Sequence, residues 1–253
     1  IGGVTIMGTS NSTGSEDGVK IDSGMISTNS GAIMITGMNG DDGVEIDEDN
    51  GSSDPQITST SGNISITGST TDDDGVKIED GADVTTGGTG TISVMGTSTG
   101  TGNGVNVTNS GTTIVSANGA LSVTGSADAN DGVEIEDSAL VQSTGTTVTV
   151  TSNSPILVDN ATVSGAGNVT LTANEDAGMV AGDNVTITNN ATVTSTGADV
   201  TVNAGDNIVL DTGSDITATA AGGDITLNSG VGDNDDIGSQ TLDATISANT
   251  TNG

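Results

Sequence analysis

Carboxylates are the side chains of this chain that could do chemistry, and they cluster just before short aliphatic segments. Asp41 and Asp42 precede one such segment, and Asp72, Asp73 and Asp74 precede the next. Carboxylate oxygens are hard ligands that suit Ca²⁺, and the chain has no His or Cys to favour a transition metal. We therefore predict a calcium site at these five residues, although the chain has neither a Gly-Gly-x-Gly-x-Asp repeat nor an EF-hand loop. Screening by diffuse counterions is the alternative.

The charge balance of the chain limits the classes of partner that we expect it to bind. The formal net charge of the 253 residues is -32, and the only basic side chains are those of Lys20 and Lys77. Nucleic acids and anionic membrane surfaces attract Lys and Arg, so we expect cations as partners and no nucleic acid. No apolar run approaches the length that crosses a bilayer, so we expect no membrane insertion. The absence of Cys removes disulfides and thiol chemistry.

A phrase of the form Asp-Gly-Val-x-Ile-acid recurs at intervals of about 25–32 residues, which is typical of stacked repeats. Its copies begin at Asp17, Asp42, Asp74 and Asp131, with a weaker copy at Asn103. The phrase is the middle one of three short segments in each repeat, which we name A, B and C.

Segment A is an aliphatic pair with one intervening residue, usually Ser or Thr. The pairs are Val4/Ile6, Ile33/Ile35, Ile64/Ile66, Ile92/Val94, Leu121/Val123, Val148/Val150, Val169/Leu171, Val200/Val202 and Ile225/Leu227. Segment B is the repeated phrase, which continues in drifted form as Ile156/Val158, Val185/Ile187 and Ile208/Leu210, with Ile237 as a last remnant. Segment C carries one aliphatic residue before a Gly-containing turn, and its members are Ile26, Ile57, Val84, Val115, Val141, Val163, Val193, Ile216 and Ile246.

The alternation predicts an all-β fold, a parallel β-solenoid (β-helix) of about nine coils with three short strands per coil. A single coil buries about five or six aliphatic side chains, each worth roughly 1.5–3 kcal/mol. Ordering its residues costs about 1–2 kcal/mol each. An isolated coil is therefore unstable, and the coils must stack. A narrow aliphatic interior also explains why the chain has no Phe, Tyr or Trp.

Stacking would place equivalent residues of the repeats in columns. The Asp before segment B, replaced by Asn103 in one repeat, is followed by Gly18, Gly43, Gly75, Gly104 or Gly132, and we interpret this pair as a turn with the Gly at positive φ. Stacked carboxylates about 5 Å apart repel one another, so they need either bound cations or raised pKa values. A second acidic column is predicted just after segment B.

The middle of segment B gives a sharper expectation. Lys20, Glu45, Lys77, Asn106 and Glu134 should form one outward-facing column in which the two lysines alternate with a glutamate. Opposite charges on neighbouring strands contribute roughly 0.2–1 kcal/mol and would help to fix the strand register.

Two other functions receive less support from the sequence. The Ser and Thr residues of segment A resemble the flat arrays of ice-binding β-solenoids, but Met7, Met34 and Met95 interrupt them, and the β-propensity of Thr explains them more simply. Polysaccharide-degrading β-helix enzymes use paired carboxylates. This chain has no aromatic residue to stack on a sugar and no Arg or His, so we do not expect an enzyme.

The repeats resemble the β-helical stalks of filamentous-haemagglutinin-like and other giant bacterial surface adhesins. The resemblance rests on segments that begin at Asn168 (Asn-Val-Thr-Leu-Thr-Ala), Gly182 (Gly-Asp-Asn-Val-Thr-Ile) and Gly205 (Gly-Asp-Asn-Ile-Val-Leu). It implies a secreted, rod-like protein of the cell surface or matrix.

Taken together, residues 1–253 are expected to be one solenoid domain, either a segment of a longer chain or a filament subunit that binds copies of itself end to end or side by side. We predict a structural protein of an extracellular filament or adhesin stalk. The alternative is a surface module that binds calcium or a glycan.

Overall fold

The computed structural model describes residues 2–11, 16–48, 53–175, 182–232 and 238–249, and they form an all-β parallel β-solenoid. Each repeat gives one strand to each of three nine-stranded sheets, which we name A, B and C after the segments. All strand pairs within the sheets are parallel. The fold predicted from the sequence is therefore confirmed. Among the described residues, no helix could span a membrane.

Sheet A contains β1 (Val4–Thr9), β4 (Ile33–Met38), β7 (Ile64–Thr70), β10 (Ile92–Ser98), β13 (Leu121–Ala127), β16 (Val148–Ser152), β19 (Val169–Ala173), β22 (Val200–Ala204) and β25 (Ile225–Asn228). Sheet B contains β2 (Val19–Ile21), β5 (Val44–Ile46), β8 (Val76–Ile78), β11 (Val105–Val107), β14 (Val133–Glu136), β17 (Ile156–Asp159), β20 (Val185–Thr188), β23 (Ile208–Leu210) and β26 (Gln240–Leu242). Sheet C contains β3 (Met25–Thr28), β6 (Gln56–Ser59), β9 (Asp83–Thr86), β12 (Thr113–Ser116), β15 (Leu140–Ser143), β18 (Thr162–Gly165), β21 (Thr192–Ser195), β24 (Asp215–Ala218) and β27 (Thr245–Ala248).

The aliphatic residues of the three segments form continuous columns inside the solenoid. In sheet A, Val4 pairs with Ile33, and the column runs coil by coil to Ile225. The side chains of the interior coils are almost completely buried, whereas those of the first and last coils are partly exposed. The core is therefore a stack of equivalent aliphatic layers, in which each interior layer is covered by the layers above and below.

The prediction that Val115 is the core residue of its segment C is wrong. The sequence offers Ile114 and Val115 side by side, and neighbouring residues of a strand face opposite sides. Ile114 pairs with Val84 and Val141 and is fully buried, whereas Val115 is only half-buried on the other face. The register of the flanking strands decides between the two residues.

The ninth strand of sheet B also differs from the prediction. It is β26, and its Leu242 pairs with Leu210. Ile237, which we predicted as the remnant of segment B, lies outside the described residues. The sequence signal failed here because β26 keeps only one aliphatic residue of the repeated phrase.

The role predicted for the segment B glycines is also wrong. Gly18, Gly43, Gly75, Gly104 and Gly132 do not adopt a positive φ. A Cβ atom on Gly75 would instead lie 2.5 Å from the carbonyl oxygen of Gly104 and 2.8 Å from the carbonyl carbon of Gly96. These glycines are needed because the backbones of sheets A and B approach each other closely.

Most non-glycine residues with positive φ lie at another corner, between sheets B and C, whereas Asn39 lies between sheets A and B. Asp80, Asn109, Asp137, Asn160 and Asn189 have φ values between 49° and 72°. Asn and Asp tolerate this left-handed conformation better than other non-glycine residues. The left-handed turn therefore follows segment B, where the sequence analysis placed it before that segment.

Candidate cation-binding columns

The Asp residues before segment B form a ladder of side-chain-to-backbone hydrogen bonds. The Asp42 N–H donates to Asp17 Oδ1 at 3.1 Å, and the Asp74 N–H donates to Asp42 Oδ1 at 2.8 Å. The ladder continues with the Asn103 N–H on Asp74 Oδ1 at 2.6 Å and the Asp131 N–H on Asn103 Oδ1 at 3.2 Å. An amide oxygen accepts as a carboxylate does, which explains why Asn103 can replace Asp in this column.

Burial changes the acidity of this ladder. Desolvation is the main reason why the pKa of Asp42 is raised from 3.8 to about 8. The hydrogen bond from the Asp74 N–H lowers this pKa, whereas the negative charge of Asp74 raises it further. Desolvation likewise raises the pKa of Asp74 to about 6, against the hydrogen bond from Asn103, and raises the pKa of Asp131. Burial of this column therefore favours the protonated form of these acids, which is one of the two remedies for stacked carboxylates.

The predicted column of alternating charge exists. Lys20 pairs with Glu45, Glu45 with Lys77, Lys77 with Asn106, and Asn106 with Glu134. The column is partly covered, because Glu45 is only 8% exposed and Asn106 only 9%. Side chains of the Asp ladder contact this column. Asn106 Nδ2 of the column donates to Asp74 Oδ2 of the ladder at 3.2 Å, and Asn103 Nδ2 of the ladder donates to Glu134 Oε2 of the column at 2.7 Å.

The two lysines bind carboxylates of their own and neighbouring coils. Lys20 Nζ lies 2.6 Å from Glu45 Oε2 and 3.3 Å from Asp47 Oδ2, with Asp22 Oδ1 at 3.8 Å. Lys77 Nζ lies 2.7 Å from Glu79 Oε1. Burial lowers the pKa of Lys77, but the hydrogen bond and charge of Glu79 outweigh it, so the net pKa is raised.

Among the residues that the structure describes, two groups of three carboxylates are compact enough to hold one cation. Asp17, Asp42 and Glu45 form the first, and Glu45, Asp47 and Glu79 form the second, which we name the strand-end group. In each group, one oxygen from every residue lies within 4.8 Å of the others. Two oxygens at the Ca–O distance of about 2.3–2.6 Å on opposite sides of an ion are about 5 Å apart, so the spacing fits Ca²⁺.

Asp47 differs from the other members of the strand-end group. It is 6% exposed, and its Oδ1 is buried without a hydrogen-bond partner. Desolvation raises the pKa of Asp47 to about 6, although its hydrogen bond from Lys20 lowers it. A buried carboxylate oxygen without a partner is costly, so this atom requires an explanation.

The five residues predicted to bind calcium do not form one compact group. Asp42 and Asp74 are buried in the ladder, and the Asp73 N–H donates to the Asp41 carbonyl oxygen at 3.0 Å. Asp72 is exposed. Among the described residues, only Asp42 of the five belongs to a three-carboxylate group. Calcium at Asp41, Asp42, Asp72, Asp73 and Asp74 stays a prediction.

The sequence analysis missed Glu45, Asp47 and Glu79 as a group. Glu45 lies in β5 and Asp47 follows its last residue, while Glu79 follows the adjacent strand β8, whose Lys77 pairs with Glu45. Alternation puts residues two apart on the same face of a strand. Reading the repeated phrase as Glu-Ile-Asp beside Lys-Ile-Glu could have found the group.

The other carboxylates of this face lie beyond the lysines. Thr108 Oγ1 donates to Glu136 Oε1 at 3.2 Å. Desolvation, followed by the charges of Glu136 and Asp131, raises the pKa of Glu134 from 4.5 to about 7. Desolvation also raises the pKa of Glu136, against the hydrogen bond from Thr108. This part of the face therefore resembles the ladder, because burial raises the pKa values of its acids and hydrogen bonds from neutral groups replace contacts with lysine.

No protein-family model, curated protein or solved structure matches the chain. The functional argument therefore rests on the solenoid and on its charged columns.

Proposed function

We propose that this protein is a structural component of an extracellular filament or of a cell-surface adhesin stalk. The observation that carries the proposal is the three nine-stranded sheets, each stacked in register. At about 4.8 Å per coil, nine coils form a rod about 43 Å long. A stack of nearly identical layers transmits load and spans distance, and it can be extended without a change in its cross-section.

The last coil supports growth of the rod by further layers. Leu242 and Ile246 continue the aliphatic columns of Leu210 and Ile216, yet they are 45% and 40% exposed. Another coil placed on them would bury this apolar surface and pair the outer edges of the strands.

The adhesin-like character and the extracellular location are supported by the sequence. The degenerate Asn-Val-Thr and Asp-Asn-Ile phrases resemble adhesin stalks, and the chain has only two basic residues and no aromatic residue for trypsin-like or chymotrypsin-like proteases. Such a composition suits a durable material outside the cell.

We also propose that the protein is not an enzyme. One surface hollow of about 550 Å³ is lined by Gly24, Met25, Ser53, Asp54 and Gln56. Asp54 is the single ionisable group of this described lining, which lacks the pair of carboxylates that glycoside hydrolysis requires.

A second candidate function is a surface module that binds calcium or a glycan through the loops between sheets A and B. The observation that favours it is the stacking of these loops, because the Asp73 N–H donates to the Asp41 carbonyl oxygen and the Thr101 N–H to that of Asp72. Carboxylates of successive coils are thereby brought to one edge of the rod.

Electron microscopy of the native material tests the proposal. We expect long, uniform fibres about 20–30 Å wide for each solenoid. Dispersed short particles that bind calcium or a glycan would overturn the structural proposal and favour the surface module.

A further inference from the structure

We propose that Glu45, Asp47 and Glu79, the strand-end group, form a specific site for one divalent cation of the Ca²⁺ type. This inference goes beyond the structural role, because the solenoid could form a rod without any metal. It also places the cation at the ends of strands β5 and β8, away from the loops between sheets A and B.

The first argument is geometric. One oxygen from each of the three carboxylates lies within 4.8 Å of the others, so a single ion can contact all three. Hydrogen bonds between successive strands hold the backbone of the group, since the Asp47 N–H donates to the Ile21 carbonyl oxygen and the Glu79 N–H to that of Ile46. The ligands are therefore carried by a rigid sheet.

The second argument is the unsatisfied oxygen of Asp47. Lys20 binds Asp47 Oδ2, while Asp47 Oδ1 is buried and has no hydrogen-bond partner. Asp47 is 6% exposed, so bulk water cannot solvate this atom freely. A buried charged acceptor left in this state is destabilising, and a cation in the strand-end group would satisfy it.

The third argument is the local charge. Lys20 and Lys77 contact four carboxylates, those of Asp22, Glu45, Asp47 and Glu79. Among the described contacts, carboxylates outnumber the two ammonium groups, so the surroundings of the strand-end group favour a divalent cation electrostatically. The ligand atoms of the group are carboxylate oxygens, which are hard donors and favour a hard cation over a soft metal.

Calorimetric titration of the full chain with CaCl₂, and separately with MgCl₂, after treatment with a chelator tests the site. We expect Ca²⁺ to bind and Asp47→Asn to weaken it at least about tenfold, because affinity depends on the number of charged ligands. Glu79→Gln should act in the same direction and replaces Asp47→Asn if that variant does not fold. Asp128→Asn is the matched control, since it removes an exposed loop carboxylate outside the group and outside the predicted loop site, and it should leave the affinity unchanged.

The Ca²⁺ affinity of Lys20→Gln gives a second test, because acids with a purely structural role would not bind Ca²⁺ more tightly in this variant. The substitution makes the group more negative, so Ca²⁺ should bind more tightly and raise the melting temperature more than in the wild type. The site is overturned if Ca²⁺ does not bind the wild type at millimolar concentration, or if Asp47→Asn binds as the wild type does. Loss of binding in Asp73→Asn alone would place the ion in the loops instead.

Discussion

Gly68 and Gly75 face each other across the corner between sheets A and B. A Cβ atom on Gly68 would lie 2.8 Å from the carbonyl carbon of Gly75 and nearer still to its oxygen. The same contact recurs in the neighbouring coils, between Gly37 and Gly43 and between Gly96 and Gly104. From the sixth coil onward, Ser152, Ala173 and Ala204 occupy the sheet A position, and Pro155, Asn184 and Asn207 follow in segment B. The glycine column of sheet A and that of segment B end together, because each is needed only where the other brings the two backbones into close contact.

We expect Gly75→Ala to destabilise the solenoid by more than about 3 kcal/mol, since overpacking usually costs about 1–3 kcal/mol and backbone atoms cannot repack as side chains do. Thermal unfolding followed by circular dichroism measures the loss. Gly87→Ala is the control: its Cβ would lie 3.2 Å from the nearest atom, the Thr60 carbonyl oxygen, and we expect a change within about 1 kcal/mol. Equal melting temperatures for the two variants would contradict the close contact between the backbones of sheets A and B at Gly75.

The core register predicts opposite results for two adjacent residues. Ile114→Ala should cost about 2–5 kcal/mol, because a fully buried side chain leaves a cavity. Val115→Ala should cost less than about 1 kcal/mol, because Val115 lies on the opposite, half-buried face. Chemical denaturation of both variants measures the difference, and a larger loss in Val115→Ala would show that the register of β12 is wrong.

The sequence predicted most of the fold because a solenoid repeats its local signals. Aliphatic alternation placed nine strands of sheet A correctly. The choice between Ile114 and Val115 required knowledge of the neighbouring strands, and so did the ninth strand of sheet B, where Leu242 alone continues the pattern. The candidate site was harder. Glu45 and Glu79 belong to different coils, and their proximity depends on strand register. The burial of Asp47 depends on groups that surround the strand end, and no local pattern reports it.

The corner between sheets C and A depends on buried hydroxyl groups that the sequence analysis did not identify. Ser116 is fully buried, and its Oγ donates to the Gly119 carbonyl oxygen at 2.8 Å and accepts the Gly119 N–H at 3.0 Å. Thr86 Oγ1 also donates to Ser116 Oγ at 3.2 Å. We expect Ser116→Ala to cost about 1–3 kcal/mol, because it leaves buried partners unsatisfied. Ser93→Ala on the outer face of sheet A should change the melting temperature little, and a similar loss in both variants would argue against the corner.

The acidic face beyond the lysines should make stability fall as the pH rises. The pKa of Glu134 in the folded state is raised from 4.5 to about 7, and burial raises the pKa values of Asp131 and Glu136 in the same direction. The folded state therefore binds these protons more tightly than the unfolded chain does. The stabilisation is fully present below the ordinary pKa values and is lost as the pH rises through the folded values, between about pH 4 and about pH 7 for Glu134.

Melting temperatures measured with a chelator from about pH 5 to about pH 8 should fall, and Glu134→Gln, which mimics the protonated acid, should flatten this decrease. Asp72→Asn, at an exposed carboxylate, should keep the slope of the wild type. The chelator separates the effect of protons from that of Ca²⁺, which would neutralise acids on the same face. A melting temperature that rises with pH, or a Glu134→Gln profile as steep as that of the wild type, would show that these protons do not stabilise the fold.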